Sequence, residues 1–229
     1  MDITIAVPHY DGKIFATTAR SLIGDFAELF RRGDAVRIRD LQGTCIHIAR
    51  ARLMHNFAFE GESDVLVYVD SDVGWPKGQL VDLVDTIQGH KTELVGGIYP
   101  KKTDPVEWPV SFIQDRQELR ADPDNGLLEI SAAPAGFLAI SRRGVERILL
   151  HYASDAYEHL GQKTPGVFDP IRVGDKMLQE DYAFCHRWRE IGGQVWTNPE
   201  WKFTHSGNKV WGGCLGDWLR NRPNGKPET

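Results

Sequence analysis

Residues Asp64 to Val69 read Asp-Val-Leu-Val-Tyr-Val, a near-continuous apolar run that stops at Asp70-Ser71-Asp72. A run this short and this rich in β-branched residues is a strand, and a strand with no polar face must be covered on both sides. That points to a parallel sheet sandwiched between helices. The rest of the first hundred residues supplies the parts. Ile3 to Val7 is a second apolar strand, stopped by Pro8, and Val36 to Ile38 is a short third one. Leu22, Phe26, Leu29 and Phe30 recur at helical spacing and Gly33 closes that helix. From Ile46 to Phe59 the period is again helical, with Ala49, Leu53 and Phe57 on one face and Arg50 and Arg52 on its flanks. A helix over Gly78 to Gln88 and a strand over Leu94 to Tyr99 follow. Strand–helix alternation of this kind gives a doubly wound α/β sheet with right-handed crossovers.

The second half is more broken. Val110–Ile113 and Leu127–Ile130 read as an antiparallel hairpin around Asp122-Pro123-Asp124-Asn125-Gly126. Ala135 to Ile140 is a strand, and Arg143 to His151 a helix. Asp155 to Lys176 has no period and reads as a long functional loop. A helix from Glu180 to Ile191 closes at Gly192-Gly193, Gln194 to Thr197 is a short strand, and the polar stretch from Arg220 is a tail. The expected organisation is one domain over residues 1–219, in two halves (1–104 and 105–219), followed by a tail over 220–229.

With 27 basic and 32 acidic residues, the net charge is −5. A protein that grips a duplex usually carries a basic surplus, so nucleic acid is not the expected partner. No window holds enough consecutive apolar residues for a membrane span. Cys45, Cys185 and Cys214 share no metal spacing, and three sparse cysteines suit a reducing compartment. The expected location is cytoplasmic.

Asp70 and Asp72 are the sharpest chemical feature. Ligands in open α/β sheets bind at the carboxyl ends of strands, and two carboxylates there suit a hard divalent cation that also binds phosphate oxygens. Period 2 places both on one side while the chain stays extended; alternatively they cap the next helix. Glu180-Asp181 opens a helix, either complementing its dipole or offering a carboxylate to an acceptor hydroxyl. Thr204-His205-Ser206-Gly207-Asn208-Lys209-Val210-Trp211 combines a candidate metal ligand, a phosphate-seeking lysine and an aromatic anchor. Tyr99-Pro100-Lys101-Lys102 borders the same cleft, and Gly136 opens the Ala135 strand to close approach, as of a sugar ring. Trp108, Trp188, Trp196 and Trp201 read first as core, with Trp75 and Trp108 also able to stack on a ring. Arg50 and Arg52 read as charges solvating the helix flanks, with Arg52 alternatively the candidate to reach a phosphate or neutralise Asp70.

This combination, over roughly residues 3 to 211, resembles the glycosyltransferases of the GT-A fold, in particular small viral and bacterial enzymes related to family 2. It is carried by the strand ending at Pro8, the Arg-bearing helix, Asp70-Ser71-Asp72, Gly96-Gly97-Ile98-Tyr99-Pro100, Ala135-Gly136-Phe137, Glu180-Asp181 and the late His205-Ser206-Gly207. That late segment is also similar to the His-x-Gly-x-x-Lys-Pro-Trp signature of glycogenin-like transferases, with one residue fewer before Lys209 and Val210 in place of proline. The resemblance implies transfer of a sugar from a nucleotide diphosphate sugar, a UDP-sugar by default, to a hydroxyl acceptor such as a glycan. It implies Mn²⁺ or Mg²⁺ held by Asp70, Asp72 and His205, and Asp72 as the direct ligand. It assigns donor contacts to Pro8, Tyr10, Arg52, Asp70, Ser71, Gly136 and Lys209, and catalysis to Asp181 and Glu180. Asp181 serves as base if the enzyme inverts; either carboxylate positions donor hydroxyls if it retains.

Two other readings compete. A haloacid-dehalogenase-like phosphatase also has a strand followed by Asp-x-Asp-x-Val. Here, however, Asp70 lies far along the chain, no apolar strand precedes Glu180, and His205 would have no task. The other is a non-catalytic sugar- or nucleotide-binding module of the same fold.

Overall fold

A computed structural model describes residues 1–43, 45–89, 92–113 and 121–221. The strands and helices run in the order β1 (Asp2–His9), α1 (Ala16–Arg31), β2 (Ala35–Gln42), α2 (Ile46–Glu60), β3 (Val65–Val69), β4 (Val73–Gly74), α3 (Gln79–Gly89), β5 (Leu94–Gly96), β6 (Leu128–Ile130), β7 (Phe137–Ser141), α4 (Arg142–His151), β8 (Tyr157–His159), β9 (Gln162–Thr164), β10 (Ile171–Val173), β11 (Lys176–Leu178), α5 (Glu180–Glu190), β12 (Val195–Thr197), β13 (Lys202–Ser206), β14 (Val210–Cys214) and α6 (Leu215–Arg220).

The main sheet has the order β2-β1-β3-β7-β5-β12-β6. Strands β1, β2, β3, β5 and β12 run one way, and β7 and β6 run against them. This is a mixed, mainly parallel sheet. All five residues of β3 are buried, and its alternation divides them between two cores. Val65, Val67 and Val69 pack with α1 and α3, through Leu22, Leu29, Leu80, Leu83 and Val84. Leu66 and Tyr68 pack with α2, α4 and α5, through Met54, Phe57, Ile148, Phe184 and Trp188. At ~1.5–3 kcal/mol per fully buried large apolar side chain, one such strand anchors the whole architecture.

The first half follows the sequence pattern with two extensions and one shortening, since the strand expected over Leu94 to Tyr99 ends at Gly96. Pro8 does not end β1: pairing with β3 stops at Ala6 opposite Tyr68, and beyond it β1 has only β2 beside it. A proline is tolerated where a strand is partnered on one side. Strand β2 is longer than its apolar centre because it is an edge strand, with residues 37–40 exposed or half-exposed to solvent. The α1 C-terminus is closed by Gly33 N–H to Phe30 O and Asp34 N–H to Leu29 O, the pairing a helix-terminating glycine supports.

The second half departs more. The Val110–Ile113 and Leu127–Ile130 hairpin reduces to isolated antiparallel bridges, Ser111 with Ala132 and Ala121 with Leu128. Residues 114–120 of that segment lie outside the described residues. Strand β6 pairs with β12 instead. Asp155 to Lys176 is not one long loop but two short hairpins, β8–β9 and β10–β11, with a 3₁₀ turn at Gly166–Phe168 between them. Arg220 ends α6 rather than starting the tail; residues 222–229 lie outside the described residues. Among the described residues, no helix is long and apolar enough to cross a membrane.

A second, three-stranded sheet, β14-β13-β4, sits at the end of β3. After Val69 the chain turns through residues 70–72 and leaves the main sheet as β4, which pairs antiparallel with β13: Val73 opposite His205 and Gly74 opposite Thr204. This crossing brings together segments more than a hundred residues apart.

Candidate functional site

Strand β3 ends beside the point where the strand order reverses, between β1, which leads to β2, and β3 on its other flank. Such a switch point leaves a crevice at the carboxyl ends of the strands. Asp70 stands there. Its Oδ1 accepts from Arg50 Nη2 at 2.7 Å, its Oδ2 accepts from the Tyr99 hydroxyl at 3.3 Å, and its N–H donates to Gly136 O at 3.0 Å. The Tyr99 hydroxyl in turn accepts from Gly136 N–H at 3.2 Å. The Gly136 face is thus filled by Asp70 and Tyr99, not left open for a sugar ring: a Cβ there would run into the Asp70 carboxylate and the Tyr99 hydroxyl. Gly136→Ala is expected to displace both groups and to cost about 1–3 kcal/mol, read as a lower urea midpoint. An unchanged midpoint would mean that Asp70 is not held as described.

Arg50 is 3% exposed and spans two carboxylates, with Nη1 3.0 Å from Glu180 Oε1. Burial alone would lower its pKa; Asp70, Tyr99 and Glu180 outweigh burial and raise it. Its Nε is buried without a hydrogen-bond partner. Sequence reading placed Arg50 on a solvated flank and gave the neutralising role to Arg52; the structure reverses them. Arg52 donates to His159 O and, at 3.4 Å, to Thr164 Oγ1, tying α2 to the β8–β9 hairpin. The signal for Arg50 was in the spacing: Leu53, Met54 and Phe57, at i+3, i+4 and i+7, are all buried.

Asp72 faces elsewhere. The chain turns at Asp70, with Val73 N–H reaching back to Asp70 O at 3.4 Å, so the extended geometry that would align the two carboxylates is lost. Asp72 Oδ1 lies 3.5 Å from His205 Nε2, and Lys102 Nζ sits on Oδ2. Burial raises the Asp72 carboxyl; hydrogen bonds from His205 and Lys102 outweigh it and hold the pKa below the usual range. His205 Nδ1 is 2.8 Å from Pro100 O. A carbonyl only accepts, so Nδ1 carries the hydrogen, and Nε2 points its lone pair or a second proton at Asp72. A lone pair against a carboxylate is repulsive unless a cation lies between them. A ligating histidine is commonly oriented in this way, by a carbonyl on its other nitrogen.

Among the described residues, no three His, Cys, Asp or Glu side chains cluster closely enough to enclose a metal ion. The expected trio therefore divides: Asp72 and His205 are brought together, while both oxygens of Asp70 are engaged by Arg50 and Tyr99. Asp72 and His205 fit a two-ligand site of the kind that leaves its remaining positions to water and substrate phosphate. Lys102 occupies the cationic position against Asp72. Sequence reading had Lys102 only at the border of the cleft; the structure brings its ammonium, 30 residues along the chain, onto Asp72.

Asp181 lies in the first turn of α5 and accepts from Tyr182 N–H at 2.8 Å. Burial, and then the neighbouring Glu180, push its carboxyl up to about 6. Lys209 is half-exposed, paired with Asp104 and 5.2 Å from the centroid of the Trp211 ring. Pro8 is buried in β1, Tyr10 is 72% exposed just beyond it, and Ser71 O accepts from Phe15 N–H at 2.8 Å. Trp75 is no stacking platform: it is buried against Phe137, and its Nε1 donates to the fully buried Asp25 at 2.9 Å.

No protein-family model and no curated protein sequence matches the chain. Solved structures do match. A197 from STIV aligns with a TM-score of 0.54 at 14% identity, covering 90% of this chain and 86% of that one. GalNAc-T7, determined with UDP, GalNAc and Mn²⁺, aligns with a TM-score of 0.51 at 13% identity over 89% of this chain. That match spans 43% of the GalNAc-T7 chain, so this protein corresponds to less than half of it. The shared architecture is the GT-A fold: a mainly parallel central sheet flanked by helices.

Proposed function

We propose that the chain moves a sugar from a nucleotide diphosphate sugar, with uridine diphosphate as the nucleotide, to a hydroxyl of a carbohydrate acceptor, using Mn²⁺ or Mg²⁺ bound at Asp72 and His205. The observation that carries this reading is the pairing of Asp72 with a tautomer-fixed His205 at the sheet's switch point, where β4 crosses onto β13. The UDP, GalNAc and Mn²⁺ held by GalNAc-T7 on the same fold support it. The imidazole donor favours Mn²⁺ over Mg²⁺, which prefers oxygen ligands.

A bound divalent ion would neutralise charge on the leaving diphosphate. Lys102 supplies a second positive charge at the same carboxylate. Lys209 supplies a third, because a half-exposed pair such as Lys209–Asp104 is worth only ~0–1 kcal/mol and a diphosphate can displace it. Asp70, neutralised by Arg50, faces the nucleoside side of the cleft with Pro8, Tyr10 and Ser71. Gly136 acts through Asp70, and Arg52 through the hairpin it holds. Glu180 is engaged by Arg50, which leaves Asp181 to accept the proton of the attacking hydroxyl and to stabilise the developing oxocarbenium character of the sugar.

The test is thermal stabilisation by nucleoside diphosphates and nucleotide sugars, with Mn²⁺ and with EDTA. A ligand at 100 times its Kd adds ~2.7 kcal/mol, or roughly 5–10 °C in Tm for a chain of this size. The shift is expected with a uridine nucleotide and Mn²⁺. It should vanish with EDTA and in Asp72→Ala and His205→Ala. No shift with any nucleotide sinks the reading.

A further inference from the structure

Along β14, the strand paired with the one that carries His205, lies an open cleft of about 380 Å³, none of whose lining residues belongs to the donor site described above. Trp108, Gly212, Gly213, Asp217, Trp218 and Asn221 line it. We propose that this cleft binds one sugar unit of the acceptor glycan; the proposal rests on the transferase reading and names where its acceptor sits.

The first argument is position. Gly212 and Gly213 lie on β14 opposite Thr204 and Phe203, and the next pair in the same ladder is Trp211 opposite His205. The cleft is thus lined by the strand hydrogen-bonded to the strand that carries the proposed metal ligand. Part of its lining comes from the segment leading from Lys102, which sits on Asp72, to Trp108. An acceptor lodged there would lie against the strand next to the one that bears His205.

The second argument is chemistry. A pyranose presents an apolar C–H face and a rim of hydroxyls. Indole rings match the face, and carboxylate and carboxamide groups match the rim. Both tryptophans are half-buried, and Gly212 and Gly213 add no side chain to the lining. A Cβ at Gly213 would come within 2.9 Å of the Trp108 ring, so glycine is what lets that indole lie against the strand. Asp217 discriminates against a phosphate or another anion. Arg220 does not reverse that, because it is paired with both Glu200 and Asp217. The volume lies in the range of small-molecule sites and accommodates one sugar ring.

Saturation-transfer NMR on the full chain, with UDP and Mn²⁺ present, would use the methyl glycosides of glucose, galactose, mannose and N-acetylglucosamine as probes. UDP binding is measured by calorimetry on the same samples. At least one glycoside is expected to bind. Asp217→Asn and Trp218→Leu should each weaken it about ten-fold while leaving UDP affinity unchanged. Asp217 is exposed, so its variant tests the site even if Trp218→Leu disturbs packing. UDP binding with no glycoside bound, or a bound glycoside indifferent to Asp217→Asn, overturns the proposal. Glycoside binding without any nucleotide binding overturns the transferase reading, and the acceptor assignment with it.

Discussion

Replacing Arg50 with methionine is expected to be the most damaging single substitution in this chain. The guanidinium joins three elements: α2, which carries it, the end of β3 through Asp70, and α5 through Glu180. Methionine leaves Asp70 and Glu180, each about one-fifth exposed, without the buried cation they share. Removing one partner of a buried ion pair costs ~3–5 kcal/mol, because the remaining charges keep their desolvation penalty and lose their compensation. At 2–4 °C per kcal/mol, Tm should fall by roughly 6–20 °C. Arg50→Lys should recover only part of this, since one ammonium cannot reach both acids with the guanidinium's two-pronged geometry. The decisive control is the double variant Arg50→Met/Asp70→Asn. If the loss comes from uncompensated charge, neutralising Asp70 restores part of the stability; if the double variant is as unstable as the single one, packing rather than charge is responsible.

That arginine also marks where sequence reasoning reached and where it stopped. The doubly wound sheet was legible because β3 is buried on both faces, and burial on both faces writes a continuous apolar run. The helices flanking it were legible through their 3.6-residue period. Arg50 obeys the same period, but its charge argued for solvent, and nothing local shows that Asp70 and Glu180 wait on the far side. Lys102 was harder still: it lies in an irregular segment after β5, and no local pattern shows that its ammonium reaches Asp72 beyond the end of β3. The hairpins β8–β9 and β10–β11 are short and polar, so they carry no alternation to read. At Asp70 the period-2 argument failed for a local reason, since the strand ends one residue earlier and the chain turns. Recognising Asp72 and His205 as partners needed no geometry, because a strand-end carboxylate and a late histidine each stood out by chemistry. That Asp70 belongs to Arg50 and Tyr99 instead required the fold.

Asp181→Asn is expected to separate function from stability. As the proposed base, Asp181 should contribute about 10²–10⁴ in rate. The variant should therefore lose turnover by that factor while still binding UDP with Mn²⁺. Its carboxyl sits near 6 because burial and Glu180 disfavour its charge. A pKa raised in the folded state means that the folded protein holds this proton more tightly than the unfolded chain does. Stability from this group is thus complete below the unfolded value near 4 and is lost as pH rises through about 6. Above that pH the ionised carboxylate costs roughly 2–3 kcal/mol, and asparagine, which cannot ionise, removes the cost. At pH 8 the variant should melt several degrees above the parent, with the difference vanishing near pH 4. Activity should show the mirror image: kcat of the parent rises through an apparent pKa near 6, and the residual rate of the variant is flat there. A variant that keeps turnover, or a parent profile without an inflection near 6, would remove Asp181 from the reaction and leave only its strain.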